Sequence, residues 1–238
     1  MDSYIREIRI VNDRIDEDSY LKGIRCLMNL DVLDLSKPVT IFEGENGTGK
    51  STLLGAIAEA AGFNPEGGSK FYSFSTYDQK SELAEAVKLI RGVNREKWGY
   101  YLRAESFFNV ASMEEEYAKG YTQSLELHRM SHGQSFMKII EENMNSGLFI
   151  LDEPEAALSA SKQLEFISRV HDAVINGSQF IIATHSPIIL GYPNAVIYSF
   201  DGDRIEETTY EQTPSYMITK EFINNRKRMT DILTSDGM

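Results

Sequence analysis

The sequence predicts an α/β fold with a mainly parallel sheet covered by helices on both faces. Three observations carry that prediction. Val39 to Phe42, Gly147 to Leu151 and Gln179 to Ala183 are short continuous apolar runs, as strands buried on both faces require. Ser51 to Ala61 and Ala156 to Ile175 have helical period and follow the first and second of these runs. The first run also ends in a Gly-rich turn that leads directly into a helix.

The elements follow in order. A chain of 238 residues suits one large domain, residues 1–238, with an inserted subdomain rather than two independent units. Val39 to Phe42, the turn and the helix to Ala61 form the first unit. The stretch from Gly67 to Asn145 is expected outside the sheet core, with a β-like Phe71 to Ser75, a helix over Ser81 to Ile90 and a strand over Trp98 to Leu102. Ala156 to Ile175 is expected as the crossover helix between the second and third runs. Ala195 to Phe200 and Arg204 to Thr209 read as a late hairpin, with Asp201-Gly202 as its turn. Two helices, Ser215 to Asn224 and Arg226 to Leu233, are expected to pack on the outside.

Composition narrows the function. With 42% hydrophobic and 25% charged residues, and no apolar run near the roughly 20 residues of a membrane span, direct membrane insertion is not expected. Met1 to Ile10 mixes Asp, Arg and Glu with its apolar residues and does not read as a signal peptide, so the expected location is the cytoplasm. One cysteine, Cys26, gives neither a disulfide framework nor a multi-Cys zinc site and reads as core filling. A net charge of -12 repels phosphate backbones, so nucleic acid stays open as a partner only through a local basic groove and is not supported by net charge; Arg226 to Arg228 reads as a solvated helix face.

The chemistry begins at Gly44-Glu45-Asn46-Gly47-Thr48-Gly49-Lys50-Ser51, which has glycines at the first and sixth positions followed by Lys and Ser. Glycines let the backbone curl so that the N–H groups of Asn46, Gly47, Thr48 and Gly49 point inward at phosphate oxygens, with a helix N-terminus beneath. Lys50 supplies a mobile charge to the β and γ phosphates, Ser51 a hydroxyl for Mg²⁺, and Thr52 a contact on the α-phosphate side. This is a P-loop for ATP. Leu148 to Leu151 then delivers Asp152 and Glu153 to a strand end, where open α/β sheets bind ligands. Asp152 is expected to hold Mg²⁺ through water and Glu153 to polarise the water that attacks the γ phosphate.

Two further segments bring in a family. Ser131-His132-Gly133-Gln134-Ser135, ahead of Phe136, Ile139, Ile140 and Met144, resembles the signature motif of ABC ATPases, with Met130 for its Leu and His132 for its first Gly. Ala183-Thr184-His185-Ser186-Pro187 resembles their switch-histidine loop. The resemblance implies an ABC ATPase-like P-loop fold with a small inserted helical subdomain at about residues 105–145. It implies that His185 contacts the γ phosphate, that Ser131 and Gly133 grip the γ phosphate of a partner subunit, and that the protein is an ATP-dependent homodimer. Ala156 to Ser159 matches the dimer-contacting loop, with Ser159 where Asp is common. No Gln stands at the end of the strand ending near Leu102, and Glu105 is the expected contact on the Mg²⁺ side. His128 and His132 lie four apart without a third ligand, so no metal site is expected there.

The chain also resembles a group of small stand-alone bacterial ATPases similar in their core to the SMC and double-strand-break-repair family, without its coiled coil. That implies ATP turnover for a DNA-repair or defence-type protein partner. Two other readings stay open. One is the nucleotide-binding subunit of an ABC transporter, against which stands the short interval of 26 positions from Glu105 to Ser131 (131 minus 105). The other is an ATP-dependent clamp that hydrolyses only to reset.

Overall fold

The computed structural model describes residues 3–70, 81–103, 137–138 and 146–235. Strands β1 (Ile5–Ile10), β2 (Leu33–Asp34), β3 (Val39–Glu43), β4 (Gly68–Ser69), β5 (Val87–Arg91), β6 (Gly99–Leu102), β7 (Leu148–Asp152), β8 (Gln179–Ala183), β9 (Val196–Ser199) and β10 (Glu206–Thr208) form two sheets. The helices are α1 (Arg25–Met28), α2 (Lys50–Ala61), α3 (Glu82–Ala86), α4 (Ala160–Ile175), α5 (Pro187–Leu190), α6 (Pro214–Asn224) and α7 (Arg226–Thr234).

The main sheet has seven strands in the order β10-β9-β3-β8-β7-β6-β4. Strands β9, β3, β8, β7 and β6 are parallel, and β10 and β4 run antiparallel at its two edges. Every residue of β3, β7 and β8 is buried, which explains why each reads as a mainly apolar run. Their alternate side chains feed two cores. Phe42, Leu148, Ile150 and Ile181 face α2 through Leu53, Leu54 and Ile57. Ile41, Phe149, Leu151, Phe180 and Ile182 share the other core with Phe166, Val170 and Ala173, which α4 presents at helical spacing. Phe149 and Phe180, register partners on β7 and β8, stack with ring centroids 4.6 Å apart. No helix among the described residues is long and apolar enough to cross a membrane.

Several expectations need correction. The segment after Gly67 is not outside the sheet, because β4 and β6 extend it and β6 pairs with β7 from Gly99↔Leu148 to Leu102↔Leu151. The helix expected over Ser81 to Ile90 stops at Ala86, and Val87-Lys88-Leu89-Ile90-Arg91 leaves it as β5. That strand belongs to a second, three-stranded antiparallel sheet, β2-β1-β5, whose central strand carries Ile5, Ile8 and Ile10 into the core. The crossover helix begins at Ala160; Pro154–Ala157 forms a separate 3₁₀ turn because Pro154 restarts the chain after β7. In the late hairpin Ser199 pairs with Glu206, so Asp201-Gly202 lies in a wider loop and is not a two-residue turn. Phe71 to Ser75 and the expected subdomain at 105–145, apart from Met137 and Lys138, lie outside the described residues.

Candidate functional site

The phosphate loop fills the six residues between β3 and α2. Gly49 caps α2 with φ 103°, and a Cβ there would stand 2.8 Å from Ile24 Cγ2, so the turn onto the helix requires glycine. Gly47 also has positive φ, 82°, with open space around it. Lys50 is buried, and its Nζ donates to the carbonyl oxygens of Gly44 at 2.6 Å and Glu45 at 2.7 Å. The ammonium is folded into the loop's own carbonyls, where incoming phosphate oxygens would exchange for them. Burial pushes its pKa down, opposed by the carboxylates of Glu153, Asp201, Glu43 and Asp152.

The acidic strand end meets the start of α2. Ser51 Oγ donates to Asp152 Oδ1 at 2.9 Å across 101 residues of sequence. Burial pushes the Asp152 carboxyl up to about 6; the Ser51 hydrogen bond opposes that rise, Glu153 adds to it, and Arg103 and Lys50 draw it down. A hydroxyl and a carboxylate in direct contact are hard oxygen donors suited to Mg²⁺, so the residues present fit that ion. A cavity of about 440 Å³ opens beside the pair, walled by Thr52, Gly55, Tyr101, Arg103 and Glu153.

Glu153 follows with φ 46° and ψ 54°, a left-handed conformation rare for a residue with a side chain. Its N–H donates to the Ala183 carbonyl at 2.9 Å, which ties the end of β7 to the end of β8. His185, two residues beyond Ala183, brings Nε2 to 3.8 Å from Glu153 Oε1. That nitrogen is buried without a hydrogen-bond partner among the described residues.

The structure therefore brings together Lys50, Ser51, Asp152, Glu153 and His185. Ser131, Gly133 and Glu105 lie outside the described residues. Sequence reading missed three acids. Asp201 Oδ1 accepts from Glu45 N at 2.6 Å and pins the loop from the β9–β10 connection. Glu43, buried at the end of β3, accepts from Ser215 Oγ at 3.3 Å, and burial followed by the nearby Asp201 raises its pKa. Glu155 Oε1 accepts from the backbone N–H of His185 at 2.7 Å and of Ser186 at 3.2 Å. Cys26 is buried, and its thiol donates to the Thr48 carbonyl at 3.2 Å.

A phosphate loop between a buried parallel strand and its helix, an acidic pair at the end of the next strand but one, and a histidine in the loop beyond the strand between them define an ABC-type P-loop ATPase. In sequence the chain belongs to the AAA domain family, whose profile matches residues 20–190. Among curated proteins it is similar to the cytochrome c biogenesis ATP-binding export protein CcmA of Rhizobium etli, at 29% identity over 178 residues, covering 65% of this chain and 78% of that one. Among solved structures it is similar to cbiO1 of Clostridium perfringens, part of the ABC transporter complex cbiONQ, at 16% identity, 95% and 97% coverage and TM-score 0.49. It is also similar to MJ1267, an ATP-binding cassette of an ABC transporter in its ADP conformation, at 15% identity, 99% and 100% coverage and TM-score 0.45.

Proposed function

We propose that the chain binds ATP in the phosphate loop and hydrolyses it with water oriented by Glu153. The convergence of Lys50, the Ser51–Asp152 contact, Glu153 and His185 at one end of the parallel sheet supports this most directly. Lys50 leaves the Gly44 and Glu45 carbonyls for the β and γ phosphates. Ser51 and Asp152 would hold Mg²⁺, with Glu105 expected on the same side, and the ion would supply charge neutralisation on the phosphate oxygens. Glu153 accepts a proton from the attacking water as its oxygen bonds to the γ phosphorus, and the bond to the departing ADP oxygen breaks. His185 offers its unpaired Nε2 to the γ phosphate. Ser131 and Gly133, in an inserted helical segment at about 105–145, close over the nucleotide of a second copy.

The similarity to an ATP-binding export protein supports work as the nucleotide-binding subunit of a transporter. These relatives lend no support to a DNA-repair or defence partner, so the transport reading replaces it.

The test begins with calorimetry. Lys50→Ala removes charge-assisted bonds worth about 1.5–3 kcal/mol each, so ATP affinity should fall by about 10- to 100-fold. Affinity within about threefold of wild type would place the nucleotide elsewhere. For the transport half, the native protein should co-purify from detergent-solubilised membranes with an integral membrane protein; recovery with DNA-repair proteins instead would reject it.

A further inference from the structure

Glu155 has no part in the mechanism above. We infer that it is a positioning residue, a latch that fixes His185 through the backbone of the switch loop. The inference rests on the roles just given to Glu153 and His185.

Glu155 sits in the 3₁₀ turn Pro154–Ala157, two residues beyond Glu153. A single atom, Oε1, accepts from two successive amides, His185 N at 2.7 Å and Ser186 N at 3.2 Å, 30 and 31 residues away. These are charge-assisted bonds to the loop that carries the histidine, stronger than those between neutral partners. Without them, the loop beyond β8 would keep the bond from Thr184 N to Phe42 O at 3.1 Å and that from Ser186 N to Thr184 Oγ1 at 3.0 Å, but His185 N would lose its acceptor, and the rest would depend on the Ser186 side chain. That residue's Oγ accepts from Ile188 N and Ile189 N to cap the four-residue α5 and donates to Gln163 Oε1 at 2.5 Å. Gln163 Nε2 in turn donates to Leu158 O at 3.0 Å, which closes a circuit back to the segment that Glu155 begins.

The latch carries a cost. Glu155 Oε2 is buried with no hydrogen-bond partner among the described residues, and a desolvated carboxylate oxygen left unpaired destabilises the fold. An alanine would avoid that cost but would take the acceptor from the His185 amide, so the acid gives up one buried oxygen to hold the switch loop in place. The place of that loop matters for function. The base and the γ-phosphate contact stand on different strand ends, and His185 Nε2 already lies 3.8 Å from Glu153 Oε1, so the height of the switch loop sets the gap into which water and phosphate must fit. The same turn runs on into Ala156 to Ser159, the segment that resembles the dimer-contacting loop, so a shift there reaches His185 through one carboxylate.

The experiment uses the full chain and four variants: Glu155→Ala, Glu155→Gln, His185→Ala and the Glu155→Ala/His185→Ala double. Loss of the latch should lower kcat by about 10- to 100-fold with KM for ATP within about threefold, because misplacement of a reacting group by about 1 Å costs that much while the phosphate loop still binds. Glu155→Gln keeps a carbonyl acceptor at Oε1 and should restore kcat. In the His185→Ala background, Glu155→Ala should cost less than about twofold further, since both changes remove one device. Amide hydrogen exchange on the nucleotide-free chain should show His185 losing protection in Glu155→Ala and keeping it in Glu155→Gln, while Ser186, whose amide also reaches Thr184 Oγ1 at 3.0 Å, keeps part of its protection in both. The inference is overturned by wild-type kcat in Glu155→Ala, by a Gln variant as slow as Ala, by a full additional loss in the double variant, or by unchanged amide protection. Wild-type protein whose turnover is absent or indifferent to Lys50→Ala would reject the ATPase mechanism instead, and the exchange data would still decide whether the latch exists.

Discussion

At Asp152 the same burial that aligns the carboxylate with Ser51 makes its charge costly. Its carboxyl titrates near 6 in the folded chain, above the usual carboxylate value of 3.8, so the folded state binds the proton more tightly than the unfolded state. The stabilisation from that proton is complete below about pH 4, declines as pH rises and is gone above about pH 6 to 7. For the nucleotide-free protein at pH 7.5, Asp152→Asn should therefore raise Tm by a few degrees, on a scale of about 2–4 °C per kcal/mol for a chain this long. At pH 4.5, between the unfolded and folded pKa values, the gain should fall to about a third. Scanning calorimetry at the two pH values checks it, and an equal gain at both would mean that the charge is not the cost. Added Mg²⁺ and ATP should reverse the order, stabilising the wild type more than the variant. Asp152 itself was legible because its partners belong to motifs of fixed spacing. Glu155, Asp201 and Glu43 were not, since their work is to accept bonds from backbone amides or a hydroxyl 30, 156 and 172 residues away, and no local pattern marks such an acceptor.

The parallel strands could be read from sequence because burial on both faces leaves no polar residue at alternate positions; β3, β7 and β8 show this without exception but for Thr40, Gln179 and the functional acids at their ends. The antiparallel sheet left a weaker trace. In β1, Ile5, Ile8 and Ile10 are not strictly alternate because the register shifts between Ile5 and Glu7, and in β5 the apolar residues continue the period of α3. Gln179 explains how the two sheets are joined. Its Oε1 accepts from Ile5 N at 2.9 Å, and its Nε2 donates to Ile5 O at 2.8 Å and Leu35 O at 2.7 Å, all buried. One amide thus satisfies three backbone groups of β1 and the residue after β2. Gln179→Leu keeps the volume and strands those groups, at a cost of about 2–4 kcal/mol overall. Thermal unfolding should show a fall of about 5–15 °C, with amide protection lost first along β1. A variant as stable as wild type would show that the sheets are held together by apolar packing alone.

At the scale of the whole molecule, the proposed mechanism draws its phosphate loop, ion ligands, base and γ-phosphate contact from one end of a single sheet, which would make one half of an ATP site. The other half is expected from Ser131 and Gly133 of a second copy, because one chain carries one complete phosphate loop and one signature-like segment, and a twofold axis turns these into two composite sites. Such a dimer should require the triphosphate. Only ATP has the γ phosphate that both chains would touch, so ATP favours the closed pair over the open chain by a differential affinity that ADP lacks. Glu153→Gln keeps the shape of the side chain while removing the charge that activates water, and should hold the closed state long enough for light scattering. With ATP the mass of that variant should double; with ADP it should stay that of one chain. Adding Ser131→Arg puts bulk and positive charge where the partner's γ phosphate would lie, so the double variant should stay monomeric with ATP while binding it with unchanged affinity through Lys50. A dimer equally stable without nucleotide, or one that survives Ser131→Arg, would remove Ser131 from the site and leave residues 131–135 as an ordinary helix start.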